Sequence, residues 1–521
     1  MGQSLGAGEQ SLPIITDSIT GYGNLKFRMG THTWTYNYFP DNPNLRSLDN
    51  FDFAPLIANR RVVEGETIAN GLCDYFTEKS KINGKLLFSY AGQGGRYLRE
   101  LDKRHDDAKD LRAERRQSKG GHYKTSINDV LKAKQKADSL NLTYNVMAVT
   151  WMQGEANNTR KLNRWDEALP RKEFLHAYKN DLIQLKKDYD TDISNILGKE
   201  INVPFFTYQT GGTMSGTAQL LATEENPNMY MVGPTYMMPN AENTVYEYRG
   251  KKYHGDGIHL TADSERWLGE QFGKVIKRVL IDKEDWQPLR PLKAYFSEDK
   301  KEVYVKFHVP RPPLVLDTIF LPKQGQSYGI RMYDVNKKVI PVKSAKIIDG
   351  NTIQLSVQNK IEKETYLSYG TRSLVKDLSE PIHKIFDSGT NEHGFKEISI
   401  EFKGNFIDEF STLLDEGVFY LGNRVKNSSE FTNLIIRNVY INDAENTVLA
   451  GEFDDLRKDV PFKVGQKCYI SRRYVYGNLR DSDSEKSVFN FSDTNYGKRG
   501  NMNYPLFNWC ISFQDLIIKE K

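Results

Sequence analysis

The feature of this sequence that most constrains its fold is a change in the pattern of apolar residues near residue 285. Before this point, strand-like apolar runs alternate with amphipathic helical segments. Four of the runs are predicted as buried strands: Leu86–Tyr90, Tyr144–Thr150, Pro204–Tyr208 and Met229–Val232. Alternating strands and helices predict a parallel sheet covered by helices on both faces. Sites in such sheets form beyond the carboxyl ends of the strands.

The last helical segment of this half has the clearest amphipathic pattern. Trp267, Phe272, Val275 and Val279 fall on one face of a helix. Thr261 stands where a hydroxyl can accept a hydrogen bond from the first turn, so we predict it as the N-cap. The first domain is therefore expected to be an α/β domain over residues 1–283.

After Trp286 the pattern becomes that of short strands. Val303, Val305, Phe307 and Val309 alternate with polar residues, as in a half-buried strand. Similar strands recur, with Gly, Asn, Asp and Pro between them. The pattern predicts a β-sandwich over 288–383 and 467–521, with a small β module inserted at 384–466.

Composition excludes several classes of protein. The formal net charge is +4 over 521 residues with no distinct basic block, which by itself argues neither for nor against nucleic acid. We expect no nucleic-acid partner. No apolar stretch is long enough to span a membrane. The three cysteines form no CxxC pair, which argues against structural zinc and against a disulfide framework. No signal-peptide pattern follows Met1.

Two glycine-rich blocks could support nucleophilic chemistry. In Gly2-Gln3-Ser4, small neighbours would let a substrate approach the serine hydroxyl, although a serine among glycines is also typical of a flexible loop. The second block contains Gly94-Gly95 and follows the strand Leu86–Tyr90. A glycine there could turn its backbone N–H toward an oxyanion, or could simply form a strand-to-helix turn. Its spacing matches neither phosphate-binding fingerprint.

Two further blocks contain polar side chains. Gln153-Gly154-Glu155 follows the strand Tyr144–Thr150, and its amide could donate to an oxyanion, while Glu155 could instead pair with a surface arginine. Asp256 and His259 stand on one predicted turn, where a carboxylate can orient an imidazole. A metal site built from His254, Asp256 and His259 is an alternative, but no further His or Cys cluster completes its ligand set.

In this order, the four blocks resemble those of the SGNH hydrolase superfamily. The pattern is most similar to its branch of sialate O-acetylesterases and acetylxylan esterases. That branch carries Gly-Gln-Ser, a Gly-Gly pair after a strand, Gln-Gly-Glu and Asp-x-x-His, all present here. The resemblance covers roughly residues 1–283. It implies a flavodoxin-like three-layer α/β/α fold and no metal or organic cofactor.

The resemblance also implies the roles of the site residues. Ser4 would be the nucleophile, His259 its general base and Asp256 the residue that orients the imidazole. The backbone N–H groups of Ser4 and Gly94, with the side-chain amide of Gln153, would hold the oxyanion. Glu155 is a second candidate for the acidic role. The implied reaction removes O-acetyl or similar small acyl groups from a carbohydrate through an acyl-serine intermediate.

This chain departs from the family pattern at its start. Relatives place the serine at the end of the first sheet strand, whereas only Met1 precedes Gly2-Gln3-Ser4 here. We therefore expect the first strand to be missing and Ser4 to lie on a mobile terminus. The hypothesis is that the natural protein continues upstream of Met1.

The second half supports an alternative function. Gly477–Ser482 and Tyr504–Trp509 resemble segments of β-domains that follow the esterase domain in relatives from gut bacteria and their phages. The chain could thus be a non-catalytic glycan-binding or virion-structural protein that keeps an inert SGNH fold. An extracellular, periplasmic or virion-associated location is favoured, and virion or homo-oligomer partners remain open.

Overall fold

The computed structural model divides the chain into two compact units. The first contains Met1–Pro288 and Asp483–Phe507, and the second contains Leu289–Ser482 and Asn508–Lys521. The structure describes every residue except 34–47, 59–63, 106–120, 212, 242–244, 249–250, 255–257, 322–325, 337–338, 371–381, 391–395, 402–418, 425–430, 442–447, 456–466, 472–476, 493–501 and 521. Within 242–257 and 371–476, only the backbone of the helices and strands is described. The expected boundary placed all of 467–521 in the second domain, whereas Asp483–Phe507 belongs to the first unit.

The first unit mixes helices with parallel strands, which confirms the α/β class. Its helices are α1 (Ile68–Ser80), α2 (Leu98–Leu101), α3 (His122–Ser139), α4 (Arg171–Leu197), α5 (Met214–Glu225) and α6 (Ala262–Leu280). Strands β3 (Val149–Trp151), β4 (Phe205–Gln209) and β5 (Met229–Pro234) form a parallel sheet in that order. Three antiparallel pairs are also described, β1 (Leu25–Phe27) with β2 (Phe53–Pro55), β6 (Val245–Tyr248) with β7 (Lys251–His254), and β23 (Lys486–Asn490) with β24 (Asn503–Pro505).

Burial and capping explain these elements. All residues of β4 are buried, as expected for a strand covered on both faces. The Thr261 hydroxyl accepts a hydrogen bond from the Ser264 N–H, which confirms the predicted N-cap of α6. Helix α4 ends at Gly198, whose left-handed conformation suits a glycine C-cap. The core between the sheet, α3 and α4 is apolar and contains, among others, Trp151, Phe174, Leu182, Leu185 and Phe205.

The start of the chain lies between two other segments of this sheet. Gly2 makes parallel bridges to Met152 on one side and to Gly92 on the other. Met1 donates through its terminal nitrogen to Thr150 O at 2.9 Å, and Gln3 N donates to Met152 O at 2.9 Å. Ser4 is therefore held by paired backbone, in contrast to the expected free end.

The predicted strands next to this position are only partly formed. Of the run 144–150, only Val149 and Thr150 fall within β3. The run 86–90 makes isolated parallel bridges, from Leu87 to Leu25 and from Tyr90 to His32. The predicted strands at 204–208 and 229–232 correspond closely to β4 and β5.

The second unit is rich in strands. An eight-stranded sheet has the order β12 (Val339–Ile340), β11 (Ile330–Asp334), β15 (Thr365–Tyr369), β25 (Phe513–Lys519), β8 (Arg290–Phe296), β9 (Glu302–His308), β14 (Thr352–Val357) and β13 (Val342–Ile347). β10 (Leu314–Leu316) pairs with β22 (Leu479–Asp481). The arrangement of this unit as a sandwich stays a prediction, as does the three-layer arrangement of the first unit.

A closed six-stranded barrel occupies the middle of the second unit. It consists of β16 (Ile382–Thr390), β17 (Lys396–Glu401), β20 (Val448–Asp455), β19 (Phe431–Ile441), β18 (Phe419–Arg424) and β21 (Lys467–Ser471). The predicted inserted module, 384–466, lies within this range. Backbone pairing closes the barrel between β16 and β21.

Two of the cysteines are described in full, and neither takes part in a disulfide. Cys73 and Cys510 are free and buried, and burial raises the pKa of both thiols well above the ordinary value. Among the described helices, none combines the length and hydropathy that a membrane-spanning helix requires.

Candidate active site

The Gly2-Gln3-Ser4 block opens a tight turn at the edge of the parallel sheet. The Ser4 carbonyl accepts hydrogen bonds from Ala7 N at 3.1 Å and from Glu9 N at 3.0 Å. Gly2 is required by close packing, because a Cβ built on it would lie 2.1 Å from Met152 O. Ser4 itself is largely buried, with 4% of its surface exposed. The block therefore holds one serine at the end of a paired backbone segment.

The second glycine block lies directly beside Ser4. A Cβ built on Gly94 would lie 3.2 Å from Ser4 Cβ and 2.7 Å from Glu9 Oε2. Any side chain at this position would thus press against the serine and the carboxylate. The structure brings these two predicted blocks together and leaves the Gly94 backbone next to the candidate nucleophile.

Gln153 lies below the Ser4 turn and is completely buried. Its Nε2 donates to Asn157 Oδ1 at 2.6 Å and to Arg96 O at 3.0 Å, and its Oε1 accepts from the Tyr178 hydroxyl at 2.8 Å. Both amide hydrogens therefore have acceptors inside the protein. In this arrangement the side chain braces the loops around Ser4, and the predicted oxyanion role of its amide stays untested.

His259 lies in the turn that leads into α6 and has 8% of its surface exposed. The neighbouring Leu260 carbonyl accepts a hydrogen bond from Ser11 Oγ at 2.8 Å, which joins this turn to the segment that follows Ser4. The His259 Nε2 lies 4.0 Å from Glu9 Oε2. Asp256, the predicted partner of the imidazole, lies outside the described residues.

Glu155 is a buried carboxylate close enough to His259 for their charges to interact. Burial raises its pKa, while a hydrogen bond from the Tyr208 hydroxyl and the charge of His259 act in the opposite direction. Of the two acidic candidates, Glu155 is thus the one whose surroundings the structure describes. Its contact with Tyr208 replaces the surface arginine partner considered from the sequence.

Two acidic groups near the glycine blocks were not found by sequence reasoning. Glu9 follows Ser4 by five residues in an irregular turn, so no periodic pattern marks it. The His32–Glu64 pair joins segments that are distant in sequence, with Nδ1 3.1 Å from Glu64 Oε2 and Nε2 2.9 Å from Gly92 O. The His32 ring also packs against the edge of Tyr90. No local signal in the sequence identifies this pair.

An aromatic surface borders the glycine block. Arg164 donates to Gly95 O at 2.7 Å, and its guanidinium lies 5.9 Å from the centre of the Tyr97 ring. The adjacent Trp165 is 62% exposed.

The metal alternative of His254, Asp256 and His259 involves side chains outside the described part of the structure. No group of three His, Cys, Asp or Glu side chains among the described residues is arranged to hold a metal ion. The side chain of His254, like Asp256, falls outside the described part of the structure.

The chain was compared with known families, curated proteins and solved structures. No family model and no curated protein matches it. Among solved structures, the carbohydrate acetylesterase XAC1771 from Xanthomonas citri is 14% identical over 59% of this chain, with a TM-score of 0.39. The match covers 60% of that chain, less than two thirds of its length. NanS is also 14% identical, over 54% of this chain and 96% of its own, with a TM-score of 0.35.

Proposed function

We propose that this chain is a serine esterase of the SGNH type that removes O-acetyl or similar small acyl groups from a carbohydrate. The observation that carries the proposal is the convergence on the Ser4 segment of two other blocks, that of Gly94 and that of His259. Gly94 packs against Ser4 Cβ, and the turn bearing His259 is joined to the Ser4 segment through Ser11. Segments far apart in sequence thus meet at one sheet edge, as the reaction requires.

In the first step, His259 takes the proton of the Ser4 hydroxyl as Oγ bonds to the ester carbonyl carbon. The carbonyl electron pair moves to oxygen, and the backbone N–H groups of Ser4 and Gly94 are proposed to hold that oxyanion. The carbonyl then re-forms and the sugar oxygen leaves with the proton from His259. Water repeats the sequence and releases the carboxylic acid and free Ser4.

The acidic support for His259 is assigned to Asp256, with Glu155 as the second candidate. A carboxylate in this role fixes the tautomer of the imidazole and stabilises the imidazolium formed during the reaction. Glu155 is supported by its burial and by its electrostatic interaction with His259. Asp256 is supported by the resemblance of its block alone.

A carbohydrate substrate is supported by the aromatic surface beside the glycine block. The Tyr97 ring contacts the guanidinium of Arg164, which donates to Gly95 O beside the proposed oxyanion donor, and the next residue, Trp165, is 62% exposed. Sugar rings carry C–H faces that pack on aromatic rings, and such rings combine apolar area with low conformational entropy. This arrangement favours an acylated sugar over a long acyl chain.

The decisive experiment measures acetate release by the wild type and by Ser4→Ala, on a chromogenic acetate ester and on acetylated polysaccharides. We expect the variant to lose at least about ten-thousand-fold in rate, as other serine hydrolases do without their nucleophile. Ser139→Ala, at the exposed end of α3, is the matched control and should keep full activity. Equal release by wild type and Ser4→Ala would remove Ser4 from the mechanism.

The alternative function, glycan binding without catalysis, has its own outcome in the same experiment. Polysaccharide binding by both proteins without acetate release from either would support an inert fold. Trp165→Ala separates the two parts of the proposal, because it should weaken turnover of polysaccharide but not of the small ester. Leu142→Ala, at another exposed apolar position, is its control.

A further inference from the structure

The eight-stranded sheet of the second unit has two chemically different faces. On one face the side chains of β8, β9 and β14 are apolar and at most 1% exposed: Ala294, Val303, Val305, Ile353 and Leu355. Successive side chains of a strand point to opposite sides, so the residues between these lie on the other face. That other face is where polar and aromatic residues of the same strands collect.

One row of side chains crosses five neighbouring strands on this second face. In strand order its members are Lys519 of β25, Tyr295 of β8, Tyr304 of β9, Gln354 of β14 and Lys346 of β13, each paired in register with the next. Neighbouring strands lie about 4.8 Å apart, so the two lysines at the ends of the row stand roughly 19 Å apart. We call these five residues, together with the neighbouring Lys293 and Lys306, the lysine–tyrosine face.

The other two lysines of the face stand directly opposite each other. Lys293 of β8 pairs in register with Lys306 of β9, next to the pair of Tyr295 and Tyr304. Both lysines are exposed. Like charges at directly opposed positions of adjacent strands destabilise a sheet. An anion bound between the two lysines would relieve this repulsion.

The acidic residues of these strands do not balance the basic ones. The five strands together contain six Lys or Arg residues and two acidic residues, Glu302 and Asp515. These two carboxylates accept hydrogen bonds from the hydroxyls of Tyr304 and Tyr333, at 2.7 Å each. Asp349, in the turn between β13 and β14, also lies within range of a lysine charge of the face. The strands that form the face are therefore positive overall.

Between the lysines, the row offers apolar area and neutral hydrogen-bonding groups. The rings of Tyr295 and Tyr304 are inclined by 21° with their centroids 5.4 Å apart, and Lys293 Nζ lies 5.7 Å from the centre of the Tyr295 ring. The Gln354 amide donates to the Tyr304 hydroxyl at 3.4 Å. Aromatic rings provide contact area for the C–H groups of a sugar, whereas amide and hydroxyl groups can bond to its hydroxyls.

We propose that the lysine–tyrosine face binds an acidic polysaccharide, whose chain lies along the row with its carboxylates at the lysines and its sugar rings beside Tyr295 and Tyr304. β13 is an edge strand of the sheet, so a long chain can continue past that end of the row. Duplex nucleic acid fits less well, because its one charge per about 1.7 Å is much denser than four lysines over roughly 19 Å. The face acts in binding alone and depends neither on Ser4 nor on esterase activity.

The test measures binding of the full chain to three polysaccharides that carry carboxylates but no ester groups: polygalacturonate, alginate and hyaluronate. Neutral dextran and duplex DNA are the comparison ligands. We expect binding to at least one acidic polysaccharide at low salt, and its loss at about 1 M salt, where charges are screened beyond roughly 3 Å. Binding to none of the three would overturn the proposal, as would equal binding to dextran or tighter binding to DNA.

Variants locate the site on the molecule. Lys293→Gln combined with Lys306→Gln should weaken binding about tenfold, while the Tm stays constant or rises because a like-charge pair is removed. Tyr295→Ala keeps every charge and should weaken binding about fivefold. The control combines Lys172→Gln with Lys187→Gln, which removes the same charge from two exposed positions of α4. Unchanged affinity in either variant of the face, or an equal loss in the control, would overturn the proposal.

Discussion

At the scale of single residues, two carboxylates, Glu9 and Glu155, lie near the imidazole of His259. Its Nε2 lies 4.0 Å from Glu9 Oε2, and its charge also interacts with the buried Glu155. Glu155 is enclosed by Tyr208, whereas the Glu9 side chain is 33% exposed. Glu9 is therefore the carboxylate near the imidazole that is open to solvent.

Glu9→Gln is expected to lower kcat/KM about tenfold, because a carboxylate near the imidazole stabilises the charge that it gains in the transition state. Glutamine keeps the shape of the side chain and the backbone hydrogen bond to Ser4 O. Steady-state kinetics on a chromogenic acetate ester measures the change. Glu173→Gln, an exposed residue in the first turn of α4, is the control and should leave kcat/KM unchanged. An unaltered kcat/KM in Glu9→Gln would exclude this role.

Sequence patterns predicted part of the residue-scale arrangement. The glycine blocks pointed to Ser4 and Gly94, which the structure brings together, because glycines mark places where backbone must approach closely. The partners of Gln153 were not predictable, since Tyr178 belongs to a helix that no local pattern links to this loop. Glu9 had no signal either, because an irregular turn leaves no periodicity in the sequence.

At the scale of elements, α1 and α6 of the first unit pack against each other through their backbones. A Cβ built on Gly71 would lie 2.0 Å from Arg266 O, and one built on Gly269 would lie 2.3 Å from Ile68 O. The two helices thus touch through backbone, which only glycine permits at such a distance. The amphipathic pattern predicted α6 but gave no indication of its partner.

Gly269→Ala is expected to destabilise the protein by about 2 kcal/mol, because the clash with Ile68 O outweighs the gain in helix propensity of about 1 kcal/mol. Denaturant unfolding, followed by helix circular dichroism, gives the free energy of unfolding. Gly84→Ala is the matched control, since nothing lies within 4 Å of its added methyl group. Equal stability of the two variants would show that the helices can separate without cost.

At the scale of the whole molecule, the chain leaves the first unit after Pro288 and rejoins it at Asp483–Phe507. This later segment packs on the polar face of α6. Residues of 483–507 cover this face with polar contacts. Glu270 accepts from Val488 N and Phe489 N, and Asp263 accepts from the Tyr504 hydroxyl. An amphipathic helix normally exposes its polar side, so its sequence pattern alone gives no sign of these contacts. For this physical reason the pattern assigned 467–521 as a whole to the second domain, whereas Asp483–Phe507 belongs to the first unit.

Asp483, the first residue of this segment, forms ion pairs with two cations of α6. Its carboxylate lies 2.7 Å from Arg278 Nη2 and 3.3 Å from Lys274 Nζ, and all three side chains are buried. Burial by itself raises the pKa of Asp483, but the two cations prevail and lower it to about 2, from 3.8. Its contribution to folding is therefore complete above pH 4 and is lost as the pH falls from 4 to 2.

Asp483→Asn should consequently lower the free energy of unfolding at pH 7 by about 3 kcal/mol, because two buried cations lose their counter-charge. The lowered pKa of Asp483 corresponds to roughly 2 kcal/mol of pH-dependent stability in the wild type. The difference in the free energy of unfolding between wild type and variant should therefore be smaller by that amount at pH 2 than at pH 7. Urea unfolding at pH 7 and pH 2 measures both values. Asp282→Asn breaks an exposed pair with Lys277 and should cost under about 1 kcal/mol. If the difference in the free energy of unfolding between wild type and Asp483→Asn is the same at both pH values, the aspartate acts through packing and not through its charge.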